Sequence, residues 1–250
     1  MRIAIDNLFS PTTVFVGWFA ALAILYAGRR WFVRPIVAGT LLLAFSLLFG
    51  ASFANPRFAA VATEPDNIAV VAMVGLLGFF TWLATAQAVE NDRRIARGEP
   101  PREKEFARKV CTWPDLVYSE LICMVVVMTL LLTWSLLVPA PLEQPANAAV
   151  TPNPSKAPWY FLGLQEMLFY GDVWLVGVAV PCSIVFGLMA LPYLDRNPKG
   201  SGYYTIGQRR WVYLVFQTGF WLWVLLTLIG AFLRGPNWEF LGPFQIRGPS

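Results

Sequence analysis

Residues 151 to 168 read Thr-Pro-Asn-Pro-Ser-Lys-Ala-Pro-Trp-Tyr-Phe-Leu-Gly-Leu-Gln-Glu-Met-Leu, and they lie between two apolar segments that are each long enough to cross a bilayer. From Trp159 onward, Trp159, Leu162, Gln165 and Glu166 recur at three- and four-residue spacing, which predicts a short helix over 159 to 170. A helix this short, placed between two spans, is expected to lie along the membrane surface beside a pocket. Upstream, Val138-Pro139-Ala140-Pro141-Leu142-Glu143-Gln144-Pro145 leads out of the preceding span. Such proline density imposes a stiff, extended path.

The rest of the chain fits that setting. It is 57% hydrophobic and 14% charged, whereas about a quarter of the residues of a soluble domain carry charge. Six apolar runs approach the roughly 20 residues that cross a bilayer: Thr12 to Gly28, Val33 to Phe53, Ile68 to Val89, Ser119 to Val138, Val173 to Leu194 and Trp211 to Leu233. In lipid each must satisfy its own backbone, so they are expected to be helices. The fold class read from the sequence is an all-α integral membrane protein with about six transmembrane helices and a short interfacial helix after residue 158. The first run is read as a retained helix, because no basic cluster precedes it and Arg29 and Arg30 follow it.

Basic residues set the expected orientation. With both termini outside, fourteen of the nineteen Lys and Arg fall in the inner loops, among them Arg29, Arg30, Arg34, Arg93, Arg94, Arg97, Arg196 and Arg209. Arg2, Arg57, Lys156, Arg234 and Arg247 remain outside. Residues 139 to 172 then face the periplasm or its equivalent. The net charge of +4 reflects this topology and does not mark a nucleic-acid surface.

The chain has no histidine. Paired imidazoles usually hold haem b in membrane helices, and zinc and copper sites rely on histidine as well. Cys111, Cys123 and Cys182 form no Cys-x-x-Cys pattern, which argues against covalent haem or a cluster. Cys123 and Cys182, in apolar runs, are expected to pack as small hydrophobes. No metal or haem ligated by this chain is expected.

Two modules are expected. Residues 1 to 104 form three spans followed by a charged inner loop, and Gly17, Gly39, Gly75 and Gly78 are points where helices are able to approach closely. The charged stretch from Glu90 breaks at Gly98 to Pro101, which sets the boundary. Residues 105 to 250 form the second module, opened by Trp113-Pro114-Asp115-Leu116-Val117-Tyr118. The tail from Phe232 to Phe240 reads as an interfacial stretch along the outer surface with no chemistry of its own.

The second module resembles the C-terminal part of cytochrome b, and more closely subunit IV of the cytochrome bf complex. Trp113 to Tyr118 looks like the approach to that subunit's first helix, and Leu142-Glu143-Gln144-Pro145-Ala146-Asn147 like the start of its outer loop. Pro158-Trp159-Tyr160-Phe161 matches the end of its Pro-Glu-Trp-Tyr-Phe motif. The likeness spans roughly residues 105 to 240. It implies a haem-free subunit of a quinol:cytochrome c oxidoreductase or a similar complex, not catalytic alone, in a bacterial inner membrane. The family fold places both b haems on a separate cytochrome b subunit and the iron-sulfur cluster on a Rieske protein, with a c-type cytochrome as a further partner. The implied substrate is a quinol of the menaquinone or ubiquinone kind, oxidised on the outer side with proton release.

By that resemblance Ala157, Pro158, Trp159, Tyr160, Phe161 and Leu162 are the expected quinone-binding residues. One departure matters: Pro158 stands where the family keeps a proton-accepting Glu, and Ala157 where it keeps the preceding Pro. Glu166 is the expected replacement, since a carboxylate facing an apolar pocket is suited to accept protons near neutral pH. On the inner side Asp115 and Glu120 are candidates for proton uptake, acids at membrane depth being often functional. The alternative is a non-catalytic membrane anchor of a larger respiratory or photosynthetic complex, its quinol site inactive because of Pro158. A transporter is disfavoured, because the spans lack mid-membrane charges and paired broken helices.

Overall fold

The computed structural model of the chain describes residues 10–105, 109–139, 145, 147, 149 and 151–241. Among the described residues there are ten α-helices: α1 (Pro11–Ala27), α2 (Arg29–Phe32), α3 (Pro35–Ser52), α4 (Pro56–Ala62), α5 (Pro65–Ala96), α6 (Arg102–Glu105), α7 (Val117–Leu137), α8 (Trp159–Tyr170), α9 (Val180–Leu194) and α10 (Arg210–Leu228). Wider helical turns extend α7 and α9 at their starts and α10 through Leu233. Most of the outer-loop stretch from Leu142 to Ala146 lies outside the described residues.

Among the described residues, five helical stretches are long and apolar enough to cross a membrane: Pro35–Ser52, Asn67–Ala96, Thr112–Leu137, Leu175–Leu194 and Arg210–Leu233. The sixth expected span is a shorter apolar helix. Local chemistry sets the starts. α1, α3 and α5 each open on a proline, where the missing N–H costs nothing because the first turn has no intrahelical partner for it. Ser10 adds a side-chain cap, its hydroxyl accepting from the Thr13 N–H. Hydroxyls inside the spans return to the helix itself: Thr40 donates to the Ile36 carbonyl, Thr129 to Val125 and Thr133 to Thr129. Each of these three hydroxyls is thereby satisfied within its own helix.

Residues 1–101 and 151–250 form one compact unit, and residues 102–150, which contain α7, form another. Contacts thus group the first three spans with the last two. In the first unit the C-terminal end of α5 holds the loop between α9 and α10. The Asn91 amide donates to the Tyr204 carbonyl at 2.9 Å, and the Asp92 carboxylate accepts from Thr205 Oγ1 and from the Gly207 N–H at 2.9 Å. A small core of Ala88, Val89 and Ile206 seals this end, flanked by Tyr26, Val33 and Tyr213.

Two packing expectations are corrected. A Cβ placed on Gly17, Gly39, Gly75 or Gly78 would meet nothing within 4 Å, so among the described residues no other helix of this chain packs closely there. Close approaches lie instead at Gly163 and Gly230, and Gly177 meets Leu168 of the neighbouring helix. A Cβ on Gly163 would stand 2.8 Å from Thr227 Oγ1 and from Trp223 Nε1, and one on Gly230 2.8 Å from Leu162 Cγ. Cys123 and Cys182 are exposed on their helices and fill no gap in this chain's own packing.

Candidate functional site

α8 crosses the end of α10 through those two glycines. Its inward face carries Leu162, Gly163 and Glu166, all buried, at the spacing that puts them on one side of a helix. The helix start is fixed by Gln165, whose side-chain oxygen accepts from the Ala157 N–H at 2.7 Å while its amide donates to the Ser155 carbonyl at 2.9 Å. The stretch from Ser155 to Trp159 is therefore held from within α8. Lys156 Nζ donates to the Ala231 carbonyl at 2.8 Å, a carbonyl in the last turn of the α10 extension, where a cation also suits the helix dipole.

Glu166 is fully buried and Arg234 is 2% exposed. Arg234 Nη2 reaches Glu166 Oε1 at 2.6 Å, and its Nε lies 3.1 Å from Oε1 and 3.0 Å from Oε2. Tyr170 donates its hydroxyl to Oε1 at 2.8 Å, and the Trp238 indole N–H donates to Oε2 at 3.0 Å. The remaining guanidinium nitrogen, Nη1, donates to the Trp238 carbonyl at 2.7 Å. The Phe169 ring lies 4.2 Å from the guanidinium carbon, within range of a cation–π contact. Burial, and then the hydrogen bond to Glu166, pushes the Tyr170 hydroxyl up from 10.0 to about 12.

The tail supplies Arg234 and Trp238 by folding back. Residues Arg234 and Phe240 form an antiparallel bridge, and the Leu241 N–H donates to the Leu233 carbonyl at 2.9 Å. Asn237 and Trp238, at the turn, have φ of 54° and 60°, a left-handed conformation that asparagine tolerates better than most residues. Asn237 also exchanges hydrogen bonds with Asn153: its N–H donates to Asn153 Oδ1 at 2.7 Å and its Oδ1 accepts from Asn153 Nδ2 at 2.9 Å. The loop before α8 and the tail after α10 are thus joined twice.

The expected site residues divide between the two faces of α8 and the start of α7. Glu166 does not face an open apolar pocket: its carboxylate is saturated by Arg234, Tyr170 and Trp238. Leu162 is 3% exposed and belongs to the contact with Gly230. The outward face carries the aromatic residues that remain accessible: Tyr160 is 51% exposed and Phe161 57%, their rings 5.0 Å apart. Pro158 and Ala157 precede them, and Trp159 stacks edge-on against Tyr160 at 5.7 Å. Asp115 and Glu120 lie in the second compact unit, exposed, on either side of the start of α7. Sequence reasoning counted Arg234 only as an outer charge and read no chemistry in the tail. The available signal was one buried-face acid on α8 and one arginine ending an apolar span on the same side.

Residues 145–245 match the family described as cytochrome b(C-terminal)/b6/petD. A menaquinol:cytochrome c reductase cytochrome c subunit of Geobacillus thermodenitrificans is 32% identical over 92 residues, 35% of this chain and 37% of that protein. The chain therefore spans well under half of that relative's length. No solved structure matches. The Trp113 to Tyr118 stretch falls outside the matched segment. The family match thus covers α8, α9, α10 and the folded-back tail, the part of the chain that holds the Pro158 to Phe161 stretch.

Proposed function

We propose that this chain is a haem-free membrane subunit of a quinol oxidoreductase of the cytochrome bc or bf type. The observation that carries this is the family match over 145–245 combined with a rigidly held α8 whose outward face presents Tyr160 and Phe161. An accessible phenol beside flat rings, on a helix fixed at both ends, suits one wall of a site for a flat, apolar substrate with polar oxygens. The b haems, the iron-sulfur cluster and the c-type cytochrome are assigned to partner subunits in a bacterial inner membrane. The chain's own contribution is positioning, with the redox steps left to those cofactors.

Pro158 offers no proton acceptor, and Glu166 is engaged on the inward face. We assign Glu166 to holding α8 in place; to serve as the expected proton acceptor it would first have to release Arg234. Asp115 and Glu120, being exposed acids at the start of α7, are proposed for proton uptake on the inner side.

The test is quinol oxidation by the complex purified through this chain. Co-purification of b-type haem and quinol-dependent reduction of a c-type cytochrome are expected. Tyr160→Ala is expected to lower kcat/KM about tenfold or more, as loss of a pocket wall and one hydrogen bond. Co-purification without turnover, unaffected by Tyr160→Ala, would instead identify an anchor with an inactive site.

A further inference from the structure

Helices α1, α2, α5 and α10 of the first compact unit enclose a cleft of about 630 Å³. Most of its lining comes from residues that precede the family-matched segment. The wall is largely apolar, with Phe19, Leu22, Leu25, Phe32, Val33 and Leu214 among the residues that form it. Polar groups along it pair among themselves: Tyr213 donates to Thr85 Oγ1 at 3.0 Å, Thr85 to the Thr81 carbonyl at 2.7 Å, and Trp221 Nε1 to Gln217 Oε1 at 3.0 Å. The Trp18 and Trp82 indole nitrogens are closed to it. Such a wall suits hydrocarbon.

The two ends differ. At one, Arg29 lines the cleft, half-buried, its Nη1 donating to the Tyr26 carbonyl at 2.8 Å and its guanidinium carbon 4.6 Å from the Tyr26 ring centre. Arg30 and Arg34 stand exposed close by in the chain. No Asp or Glu occurs from residue 7 to residue 63. The acids at the end of α5 are engaged elsewhere, Glu90 with Arg93 and Arg97, and Asp92 with Thr205 and the Gly207 N–H. The positive charge at this end is therefore left for a partner outside the chain. At the other end stand Trp18, Gly78 and Trp221. Trp18 lies 11 residues before Arg29, roughly 16 Å at the helical rise, against about 15 Å for half of a bilayer's hydrocarbon. The cleft thus runs through one leaflet, from headgroup level to the midplane. A partner's spanning helix does not fit it, since a cylinder about 10 Å across needs about 1,250 Å³ over that length.

We infer that this cleft holds one anionic glycerophospholipid, its phosphate bound by Arg29 beside Arg30 and Arg34, and an acyl chain lying along α1 as far as Trp18. Arginine forks match phosphate oxygens, and basic pockets between spans take anionic headgroups. The site is independent of the quinol oxidoreductase reading. Its lipid fastens α1 and α5 to α10.

Two changes test it from opposite ends. Gly78→Leu fills the deep end, where a Cβ would meet nothing within 4 Å, and Arg29→Gln with Arg34→Gln removes charge at the mouth. The full chain in phosphatidylcholine nanodiscs is titrated with phosphatidylglycerol brominated near its chain ends, and brominated phosphatidylcholine is the control. Tryptophan fluorescence reads binding, because Trp18, Trp82 and Trp221 line the deeper part. Phosphatidylglycerol is expected to reach half-maximal quenching at a mole fraction about tenfold or more below that of phosphatidylcholine. The arginine double variant should lose this preference. Gly78→Leu should lose the saturable quenching, with one fewer phosphatidylglycerol retained per chain in native mass spectrometry. Equal quenching by the two lipids in the unaltered chain, a preference that survives either change, or a neutral lipid retained in place of phosphatidylglycerol overturns the proposal.

Discussion

Replacing Glu166 with glutamine removes the negative half of an ion pair in which the carboxylate is fully buried and its arginine is 2% exposed. Arg234 would keep its charge, and the new amide NH2 would face donors: the guanidinium, the Tyr170 hydroxyl and the Trp238 indole. Removing one partner of a buried pair costs about 3 to 5 kcal/mol, a large fraction of a typical folding free energy of about 5 to 15 kcal/mol. Thermal unfolding of the purified chain in a lipid nanodisc, followed by tryptophan fluorescence, measures the loss. Glu166→Gln combined with Arg234→Met should recover part of it, because the unpaired charge is gone, giving a coupling of about 2 kcal/mol or more in a double-mutant cycle. Quinol oxidation should fall at every pH as α8 loosens. The reasoning is refuted if Glu166→Gln costs less than about 1 kcal/mol while the pH–rate profile loses its acidic limb, which would make the carboxylate a proton acceptor.

Gly163→Ala sets a helix-propensity gain of up to about 1 kcal/mol against overpacking of about 1 to 3 kcal/mol, since its Cβ would lie 2.8 Å from Thr227 and Trp223; a net loss is expected on unfolding. Gly75→Ala, with open space at its Cβ, should be neutral or gain up to about 1 kcal/mol in the same assay. Asp92→Ala removes the acceptor for Thr205 and the Gly207 N–H and should cost about 2 kcal/mol, with faster proteolysis of the 195 to 209 loop. Tyr170, raised from 10.0 to about 12, contributes stability that is fully present below pH 10 and is lost as pH rises toward 12. Its tyrosinate absorbance, measured as the difference from Tyr170→Phe, should emerge about two pH units above an ordinary tyrosine.

Much of the site's local structure was legible. The spacing of Trp159, Leu162, Gln165 and Glu166 fixed α8 to the residue at its start, and the apolar runs located the spans, although α5 continues past Val89 to Ala96 and the helical stretch of α7 begins at Thr112, ahead of Ser119. Glycine was misread, because a small side chain permits close approach but does not say which helix comes near. Gly163 and Gly230 are contacts and Gly17, Gly39, Gly75 and Gly78 are not. Glu166 was read as an acid of α8 facing a pocket, but its partner Arg234 lies 68 positions away in a tail that read as plain interface.

By itself the sequence determined that this chain is a set of apolar helices, where they begin and end, and which short stretch carries the family motif. These follow from hydropathy, proline and helical spacing, all properties of neighbouring residues. Only the tertiary structure decided that Arg234 and Trp238 return to saturate Glu166, that Asp92 holds the loop at 205 to 207, and that Gly163 and Gly230 let α8 cross the end of α10. The physical reason is that helices surrounded by lipid are apolar on all sides, so no amphipathic stripe marks the packed face. Partners in such a bundle are set by shape and by a few polar groups distant in the chain.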